Sequence, residues 1–459
     1  MSHVAVIDIG KTNAKLALVD RETLTEIAVV TRPNRVLPGP PWPHFDVEGH
    51  WDFLLDGLAA FHAEHGIDAI SVTTHGASGV LLDRDGGLAA PVLDYEHTGP
   101  DDVAAEYDAI RPPFSETGSP RLPMGLNVGA QIHWMFATDP DLPDRTATVV
   151  TYPQYWGFRL TGVAATDVTS LGCHTDLWNP YEGTFSTLVD RLGIRDKVAA
   201  PRPPAEILGP ILPEIAARTG LAPDTPVHCG IHDSNASLLP HVLTRKAPFT
   251  VVSTGTWVIA MAVGGKRADL DPARDTLVNV NALGDPVPSA RFMGGREFET
   301  IISGQFAAPS DADVAKVLGE EIMLLPAIVG DSGPFQHRAA RWTPSEPRLG
   351  SGERTAAASF YLALVTAACL DLIGHDGPIV VEGPFARNAD YCRMLIAATG
   401  SPVVASEGTT GTSQGAALLV RSGDGHAAFD PGTEMSGVSG AMRDYATAWK
   451  SAVIAGLAT

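Results

Sequence analysis

The sequence predicts an α/β protein built from two related domains, and three observations support this. Two apolar strand–turn–strand patterns, each with a short turn rich in glycine and threonine, lie at residues 4–20 and 249–263. Apolar strands alternate with amphipathic helices in both halves of the chain. The length of 459 residues exceeds what a single hydrophobic core usually serves. We therefore predict one domain over residues 1–245 and a second over 246–459, divided where the second hairpin begins.

The first half of the chain is predicted to be a strand meander followed by alternating helices and strands. Stretches rich in glycine and proline at 31–48 and 111–126 indicate surface loops. Pro240 is expected to end the last helix of this half. We predict strands at 3–9, 14–20, 24–30, 69–74, 80–82 and 227–230, and helices at 49–65, 131–137, 152–160 and 234–239.

The second half opens with 19 residues, 247–265, that carry no charge. This is close to the length of a membrane span, but the alternation of Ser, Thr, Gly and Val favours a buried hairpin. Asn388 is expected to cap a helix that Gly400 ends. Further on we predict helices at 354–373, 412–420 and 441–457 and strands at 378–382 and 402–405.

Composition restricts the partners of this chain. Its net charge of −21 argues against nucleic acid and against an anionic membrane surface, but permits a small anionic ligand. The four cysteines show neither CxxC nor zinc spacing and are expected to be buried thiols. Charges at residues 8, 11 and 15 interrupt the N-terminal apolar run, unlike a signal peptide. We expect a cytoplasmic protein with a small-molecule partner, and a homodimer is its candidate assembly.

The turn of the first hairpin carries groups suited to a phosphate and a metal ion. Asp8 ends an apolar strand and suits a hydrated Mg²⁺, although an aspartate that caps a turn is the ordinary alternative. The turn is no P-loop, because GxxxxGK[ST] is absent. Backbone amides, hydroxyls and cations favour an anion here, and the turn residues concerned are Lys11, Thr12, Asn13 and Lys15.

Asp233 is the candidate general base. It follows the strand at 227–230 and begins a helix, so an ordinary N-cap is an equal alternative. Phosphoryl transfer requires a carboxylate that accepts the proton of the acceptor hydroxyl. His232 and the turn at His75–Gly76 would line a polar pocket, or would be a space-filling histidine and a plain hairpin turn. Residues 296–297 are predicted to form a surface ion pair at a helix start.

Together these segments resemble the FGGY carbohydrate kinases over about residues 3–420. DIGKTNAK resembles the first phosphate motif of that family, STGTW the second, and GIHD the segment with the catalytic aspartate. EGPFARN and GTSQGAAL resemble its adenosine-binding end. The resemblance implies two ribonuclease-H-like domains of the actin-like ATPase fold around a central cleft, and ATP- and Mg²⁺-dependent phosphorylation of a sugar.

The resemblance also implies residue roles. Asp233 would deprotonate the sugar hydroxyl, and Asp8 would hold Mg²⁺ through water. His75, Gly76 and His232, with the base itself, would contact the sugar. The residues near the phosphates or the nucleoside of ATP would be Lys11, Thr12, Asn13, Lys15, Thr256, Gly383 and Asn388.

Details within the motifs are similar to the L-fuculose and L-rhamnulose kinases. A histidine precedes the base, the second phosphate motif ends in Trp257, and VTTHGASGVLLD resembles the corresponding segment. This implies a ketose, such as a 6-deoxy sugar, phosphorylated at O1. A pentulose (xylulose or ribulose) or polyol kinase is the alternative within the family, and an actin-like ATPase without sugar transfer is the alternative from another class. The chain departs from the family pattern at Ser78, Gln131 and Pro384–Phe385.

Overall fold

The structure is a computed structural model, and it describes residues 2–406, 411–420 and 432–456. The described residues form two compact units. The first unit holds residues 2–244, 278–286 and 411–420, and the second holds 245–277, 287–406 and 432–456. Two short segments from the second half of the chain therefore belong to the first unit.

The first half of the chain contains fifteen strands, most of them short. They are β1 (His3–Ile9), β2 (Asn13–Asp20), β3 (Glu26–Pro33), β4 (Val36–Leu37), β5 (His44–Phe45), β6 (Ala69–Thr74), β7 (Gly79–Leu82), β8 (Thr148–Thr151), β9 (Thr166–Asp167), β10 (Trp178–Asn179), β11 (Thr184–Phe185), β12 (Pro201–Arg202), β13 (Ile207–Pro210), β14 (Pro226–His228) and β15 (Ile231–His232). Its helices are α1 (Val47–His65), α2 (Ala104–Ile110), α3 (Phe114–Thr117), α4 (Val128–Thr138), α5 (Leu142–Arg145), α6 (Tyr152–Thr161), α7 (Val168–Leu171), α8 (Leu188–Arg191), α9 (Pro213–Thr219) and α10 (Asp233–Thr244), with a 3₁₀ turn at Gly99–Val103.

The second half continues the same numbering. Its strands are β16 (Phe249–Thr254), β17 (Val258–Val263), β18 (Thr276–Val280), β19 (Pro286–Phe292), β20 (Met323–Leu325), β21 (Arg341–Thr343), β22 (Ile379–Glu382), β23 (Val403–Ser406) and β24 (Thr433–Glu434). Its helices are α11 (Gly294–Ile302), α12 (Asp311–Gly319), α13 (Gly352–Leu372), α14 (Ala389–Thr399), α15 (Thr412–Leu418) and α16 (Gly440–Ala455), with 3₁₀ turns at Pro272–Arg274 and Pro384–Arg387.

The main sheets of the two units share one strand order. In the first unit β1 and β2 are antiparallel, as are β2 and β3, whereas β6 is parallel to β1 and β14 is parallel to β6. In the second unit β16 and β17 are antiparallel, as are β17 and β19, whereas β22 is parallel to β16 and β23 is parallel to β22. The prediction of two α/β domains with the same ribonuclease-H-like fold is therefore confirmed.

Helices cover both faces of the first sheet, which explains why all seven residues of β1 are buried. Successive side chains of a strand point to opposite faces. Ala5, Ile7 and Ile9 pack in the cluster that contains the apolar face of α1. Val4 and Val6 pack on the other face with residues of α10 and α15. The strand end that carries Asp8 is thus held rigidly between two helical layers.

The core of the second unit is built on α13. Small residues along this helix allow it to lie close to the sheet, and sixteen of its residues are buried. Among the described residues α13 is the one helix that is long and apolar enough to cross a membrane by composition, and 83% of the apolar window is buried inside the protein. This helix is therefore apolar because it packs inside the core of the second unit.

The expectation that Pro240 ends its helix is wrong, because α10 continues through Pro240 to Thr244. Proline lacks the amide that would bond the carbonyl of Ala236, four residues earlier. Gly415 of α15 packs directly against that carbonyl, where a Cβ atom would overlap the oxygen. Thr244 donates a hydrogen bond from Oγ1 to the Pro240 carbonyl at 2.7 Å. Tertiary packing thus stabilises a helix that local sequence rules would end.

Most other predicted elements occur within a few residues of their expected bounds. The loops expected at 31–48 and 111–126 differ, because they contain the short elements β4, β5 and α3. The end of the helix predicted at 441–457 lies outside the described residues. All four cysteines are buried and none forms a disulfide, as expected.

Candidate active site

Three of the predicted site residues lie at one edge of the first sheet. In β1, Asp8 pairs with Thr73 of the parallel strand β6, and His75 immediately follows that strand. The short strand β15 is also parallel to β6 and delivers Asp233 directly after its last residue. The carboxyl ends of parallel strands meet at the same sheet edge, which is where α/β proteins generally bind ligands.

Asp8 is a buried carboxylate with two partners on the same oxygen. Its residue is 9% exposed. Thr412 of α15 donates a hydrogen bond to Oδ2, and Lys15 Nζ lies 3.5 Å from Oδ2. Burial raises the pKa of Asp8, although Thr412 and Lys15 oppose this by stabilising the charged form. Lys15 also pairs with Glu26 at 3.1 Å.

Asp8 is the candidate carboxylate for a hydrated cation at this edge. Within residues 2–406, 411–420 and 432–456, no three His, Cys, Asp or Glu side chains converge to form a metal site. Mg²⁺ commonly keeps several waters and takes only one or two carboxylates from the protein. Asp8 is thus chemically compatible with the water-mediated role predicted for it.

The first hairpin turn is closed by a hydrogen bond from Gly10 N to Asn13 O at 2.9 Å. Thr12 and Asn13 are exposed, so their hydroxyl, amide and backbone groups are accessible to a ligand. Lys11 is in the same turn, but its side chain contacts residues of another loop. Its Nζ forms ion pairs with the carboxylates of Asp94 and Glu96, the latter at 3.2 Å, and stands 4.6 Å from the centre of the Tyr95 ring.

Asp233 is in contact with the histidine that precedes it. His232 Nε2 lies 3.2 Å from Asp233 Oδ1, and the Asn235 amide lies 3.4 Å from His232 Nδ1. Burial lowers the pKa of His232 to about 4, so the ring is neutral near pH 7. The Asn235 amide NH2 group can only donate, so Nδ1 is the acceptor and the single ring proton is assigned to Nε2, which faces Asp233. His232 therefore orients the carboxylate without neutralising it.

Two further features define the environment of Asp233. Loss of surrounding water raises the pKa of its carboxyl group, which makes the carboxylate a stronger base. The side chain is still 29% exposed, so a substrate can reach it. Asp233 also begins α10 and accepts a hydrogen bond from Ser234 N at 2.6 Å. Asp233 is thus the first residue of α10 rather than the residue before it, and its position at the helix start is compatible with a role as base.

Gly76 is a position of close approach. A Cβ atom at this residue would lie 2.8 Å from His232 Nε2 and 3.3 Å from the Sγ of Cys173. Cys173 Sγ itself lies 3.5 Å from His232 Nε2. The absence of a side chain at Gly76 therefore allows His232 to lie where it contacts Asp233.

Several buried polar atoms beside this turn have no partner among the described residues. They include His75 Nε2, Ser78 Oγ and Gln131 Oε1. His75 Nδ1 lies 2.7 Å from the Gly76 carbonyl, and burial lowers the pKa of this histidine, so Nδ1 carries the proton and Nε2 is an acceptor. Buried polar atoms in native proteins normally have partners, and such a group indicates a site for a ligand rich in hydroxyls or for water.

Aromatic rings surround His75. Its ring centre lies 5.1 Å from Phe45, 5.2 Å from Tyr95 and 5.0 Å from Tyr152. Rings at these distances pack well and hold the imidazole in one orientation. The Nε2 acceptor therefore has a fixed direction.

The second unit contains the other predicted phosphate turn. Gly255 N donates to Trp257 O at 2.9 Å, and Thr256 at the tip is exposed. Gly295 N, at the start of α11, donates to Thr256 O at 3.2 Å. Gly383 follows β22 with a φ of 81°, and a Cβ there would overlap the Thr254 carbonyl. Glycine is therefore required at 383 by both conformation and packing.

Asn388 has the capping role predicted for it. Its Oδ1 accepts from Tyr391 N at 3.1 Å, and its amide donates to Ser359 Oγ at 2.9 Å. Both ends of the side chain are thus engaged within the second unit. Its role near the nucleoside, like the roles of Thr256 and Gly383, stays a prediction.

The predicted surface ion pair at residues 296–297 is wrong. Glu297 is only 2% exposed, whereas Arg296 is exposed. Position 297 lies on the inward face of α11, where its Oε1 accepts from Val329 N at 3.0 Å. Burial raises the pKa of Glu297 to about 7. Helix orientation, which the charge pattern alone does not specify, places this carboxyl in the core.

Sequence reasoning missed several contacts of the site. It did not place Thr412 at Asp8, Cys173 at His232, or Asp94 and Glu96 at Lys11. The first of these pairs joins residues 404 positions apart. No spacing rule connects positions so distant, because the fold alone brings them together.

Two family models cover most of the chain. The model of the FGGY family of carbohydrate kinases, N-terminal domain, matches residues 3–240. The model of carbohydrate kinase FGGY, C-terminal domain, matches residues 246–428. The chain belongs to the FGGY family of carbohydrate kinases. The actin-like fold and the family implied by the motifs are therefore confirmed.

The named FGGY relatives share about a quarter of their residues with this chain over the part that aligns. L-fuculokinase of Escherichia coli (strain K12) is 26% identical over 274 residues, or 56% of each protein. L-xylulose/3-keto-L-gulonate kinase of the same strain is 26% identical over 270 residues, or 56% of this chain and 53% of the relative. The chain thus matches about half the length of these relatives. A crystal structure of a carbohydrate kinase from Novosphingobium aromaticivorans is 38% identical, with a TM-score of 0.88, covering 98% of this chain and 100% of that one.

Proposed function

We propose that this protein is a cytoplasmic, ATP- and Mg²⁺-dependent sugar kinase that phosphorylates a hydroxyl of a neutral ketose. The observation that carries the proposal is the position of Asp233. This partly accessible carboxylate lies at the ligand-binding edge of the sheet, close to buried polar atoms that lack protein partners. Family membership supports the same reaction class.

Asp233 acts as the general base. One carboxylate oxygen accepts the proton of the sugar hydroxyl as that oxygen bonds to the γ-phosphorus of ATP. The bond between the γ-phosphorus and the β–γ bridging oxygen breaks, and ADP leaves. His232 is a positioning residue, because its Nε2–H donates to Asp233 and fixes the direction of the carboxylate. The raised pKa of Asp233 favours acceptance of the proton.

The phosphates of ATP are assigned to the two hairpin turns. Thr12, Asn13 and Lys15 supply donors from the first turn, and Thr256 supplies a hydroxyl from the second. Asp8 would hold Mg²⁺ through water, with Thr412 and Lys15 engaging Oδ2. The bound cation would neutralise charge on the phosphates. Gly383 and Asn388 are assigned to the nucleoside side.

The charges around the sugar position favour a neutral substrate. Lys11 is matched by two carboxylates, Asp94 and Glu96, and Asp233 adds a third negative charge. His232 is neutral near pH 7, and burial keeps His75 neutral as well. The group therefore has net negative charge and would repel a sugar carboxylate. A neutral ketose is favoured over a sugar acid.

The preferred acceptor is O1 of a ketose like L-fuculose or L-rhamnulose, because the relatives include an L-fuculokinase and the motif around His75 resembles that subgroup. His75, Gly76 and His232 would contact its hydroxyls. A pentulose or polyol is the second candidate, since another relative is named as an L-xylulose/3-keto-L-gulonate kinase.

A coupled assay of ADP release tests this proposal. The panel contains L-fuculose, L-rhamnulose, L-xylulose, D-ribulose, glycerol and 3-keto-L-gulonate, together with a control without sugar. We expect ADP release that depends on a neutral ketose and far less activity with the sugar acid. ATP hydrolysis that no sugar accelerates would instead support an actin-like ATPase without sugar transfer.

A further inference from the structure

The second unit contains a large cavity that none of the proposed catalytic residues lines. Its volume is about 730 Å³, it is open on one side, and it is lined by α13, α14, α16 and residues 273–274 and 334–338. Small-molecule sites typically have volumes of about 300–1,000 Å³. Small apolar side chains form much of the wall, among them Ala367, Ala368, Ala397 and Ala398. The shape and lining suit the apolar body of a small molecule.

Two arginines border this cavity without a carboxylate partner. Arg274 Nε donates to the Pro334 carbonyl at 3.0 Å, and Arg338 donates to the Val453 carbonyl at 3.3 Å. Neither guanidinium has an ion pair in the part of the chain that the structure describes. Asp371, which also lines the cavity, is paired with Lys450 at 2.9 Å.

The two arginines repel each other. Both arginines line the same cavity, and partial burial and the charge of Arg274 both lower the pKa of Arg338. Cations that are partly removed from water are stabilised by an anion, and arginine binds phosphate and carboxylate groups especially well.

We propose that this cavity binds an organic anion with an apolar body. Its phosphate or carboxylate head would lie between Arg274 and Arg338, and its hydrocarbon part would pack on the alanine wall near Ala368. Phe335 supports the head site, because its ring lies 5.1 Å from the Arg338 guanidinium. The site is separate from the sugar kinase reaction, and it can exist whichever substrate that reaction uses.

Calorimetric titration of the full chain with octyl phosphate and with decanoate tests the site. Inorganic phosphate supplies a head without a body, and octanol supplies a body without a head. We expect saturable binding of the two amphiphilic anions and much weaker binding of either part alone. Arg274→Ala and Arg338→Ala should each weaken binding by roughly 10- to 100-fold, the effect of losing one charge-assisted contact.

Two further variants keep the test independent of protein stability. Ala368→Phe adds no charge but fills the cavity, so it should abolish binding while the thermal transition stays cooperative. Arg443→Ala removes an exposed arginine of α16 that does not line the cavity, and it should bind as the wild type does.

Any of three results would overturn the proposal. The first is the absence of saturable binding to the wild type, and the second is equal binding to the wild type, Arg338→Ala and Ala368→Phe. The third is a dimer in sedimentation that Ile454→Asp dissociates, with no binding of octyl phosphate in either form. Ile454 lines the cavity and is 56% exposed, so the dimer would mean that a second copy of the chain covers the cavity.

Discussion

Replacing Gly76 with alanine should slow sugar phosphorylation by displacing His232. The new Cβ atom would lie 2.8 Å from His232 Nε2, whereas ordinary contacts begin near 3.4 Å, so the imidazole must retreat by about 0.6 Å. The Sγ of Cys173, 3.3 Å from the same Cβ, restricts the other directions of movement. The contact between His232 Nε2 and Asp233 Oδ1, now 3.2 Å, would lengthen beyond hydrogen-bond range.

The size of the effect follows from the loss of one hydrogen bond to a charged group. Such a bond contributes about 1.5–3 kcal/mol, which corresponds to a fall in kcat of about 10- to 150-fold if the bond matters equally in the transition state. Asp233 itself remains, so activity should decrease without disappearing. The KM for ATP should change little, because the phosphate turns are untouched.

Steady-state kinetics with the best sugar of the panel measure this effect. Gly319→Ala is the matched control, because a Cβ there meets nothing within 4 Å, and it should retain wild-type kcat. In a His232→Ala background, Gly76→Ala should add almost no further loss, since its target is already absent. Full activity of folded Gly76→Ala, or additive losses in the double variant, would refute the role given to His232.

Three further predictions concern pH, metal and stability. The kcat/KM should rise with pH on the acid side, because the base must be ionised and loss of water raises the pKa of Asp233 above its ordinary value; an acid limb that lies no higher in pH than the titration of a free aspartate would contradict this. Thr412→Val should raise the Mg²⁺ concentration for half-maximal activity about 10-fold or more, because Asp8 loses a hydrogen bond that favours its charged form; an unchanged Mg²⁺ titration beside the exposed control Thr447→Val would argue against the metal assignment. Glu297 keeps a proton up to about pH 7 in the folded state, and the unfolded chain releases it near pH 4.5, so folding stability should fall as pH rises between these values. In urea unfolding, the wild type should lose roughly 2–3 kcal/mol of stability between pH 5 and 8 that Glu297→Gln does not lose. Equal pH dependence of the unfolding free energy in the two proteins would contradict the buried carboxyl.

Local features of this protein could be predicted because they depend on nearby residues. Both hairpins, the cap at Asn388 and the helix end at Gly400 follow from turn and capping chemistry within a few positions. The edge position of Asp8 and Asp233 follows from strand order, which the strand-and-helix pattern also indicates.

Contacts that depend on tertiary packing could not be predicted in this way. The helix through Pro240 depends on Gly415, which lies 175 positions further along the chain. Glu297 looks like a surface charge until the orientation of α11 is known. The contact of Lys11 with Asp94 requires the loop after β7 to fold back on the first turn.

The central claim is that Asp233 is the base of a sugar kinase, and the variant Asp233→Asn tests it most directly. The amide has nearly the same size but cannot accept the hydroxyl proton. The measurement is ADP release, with and without the best sugar, by a variant whose circular dichroism and thermal transition match the wild type. The account predicts that the sugar-dependent rate falls by about 10²- to 10⁴-fold while sugar and ATP still bind. A folded Asp233→Asn protein with near-wild-type sugar phosphorylation would contradict it.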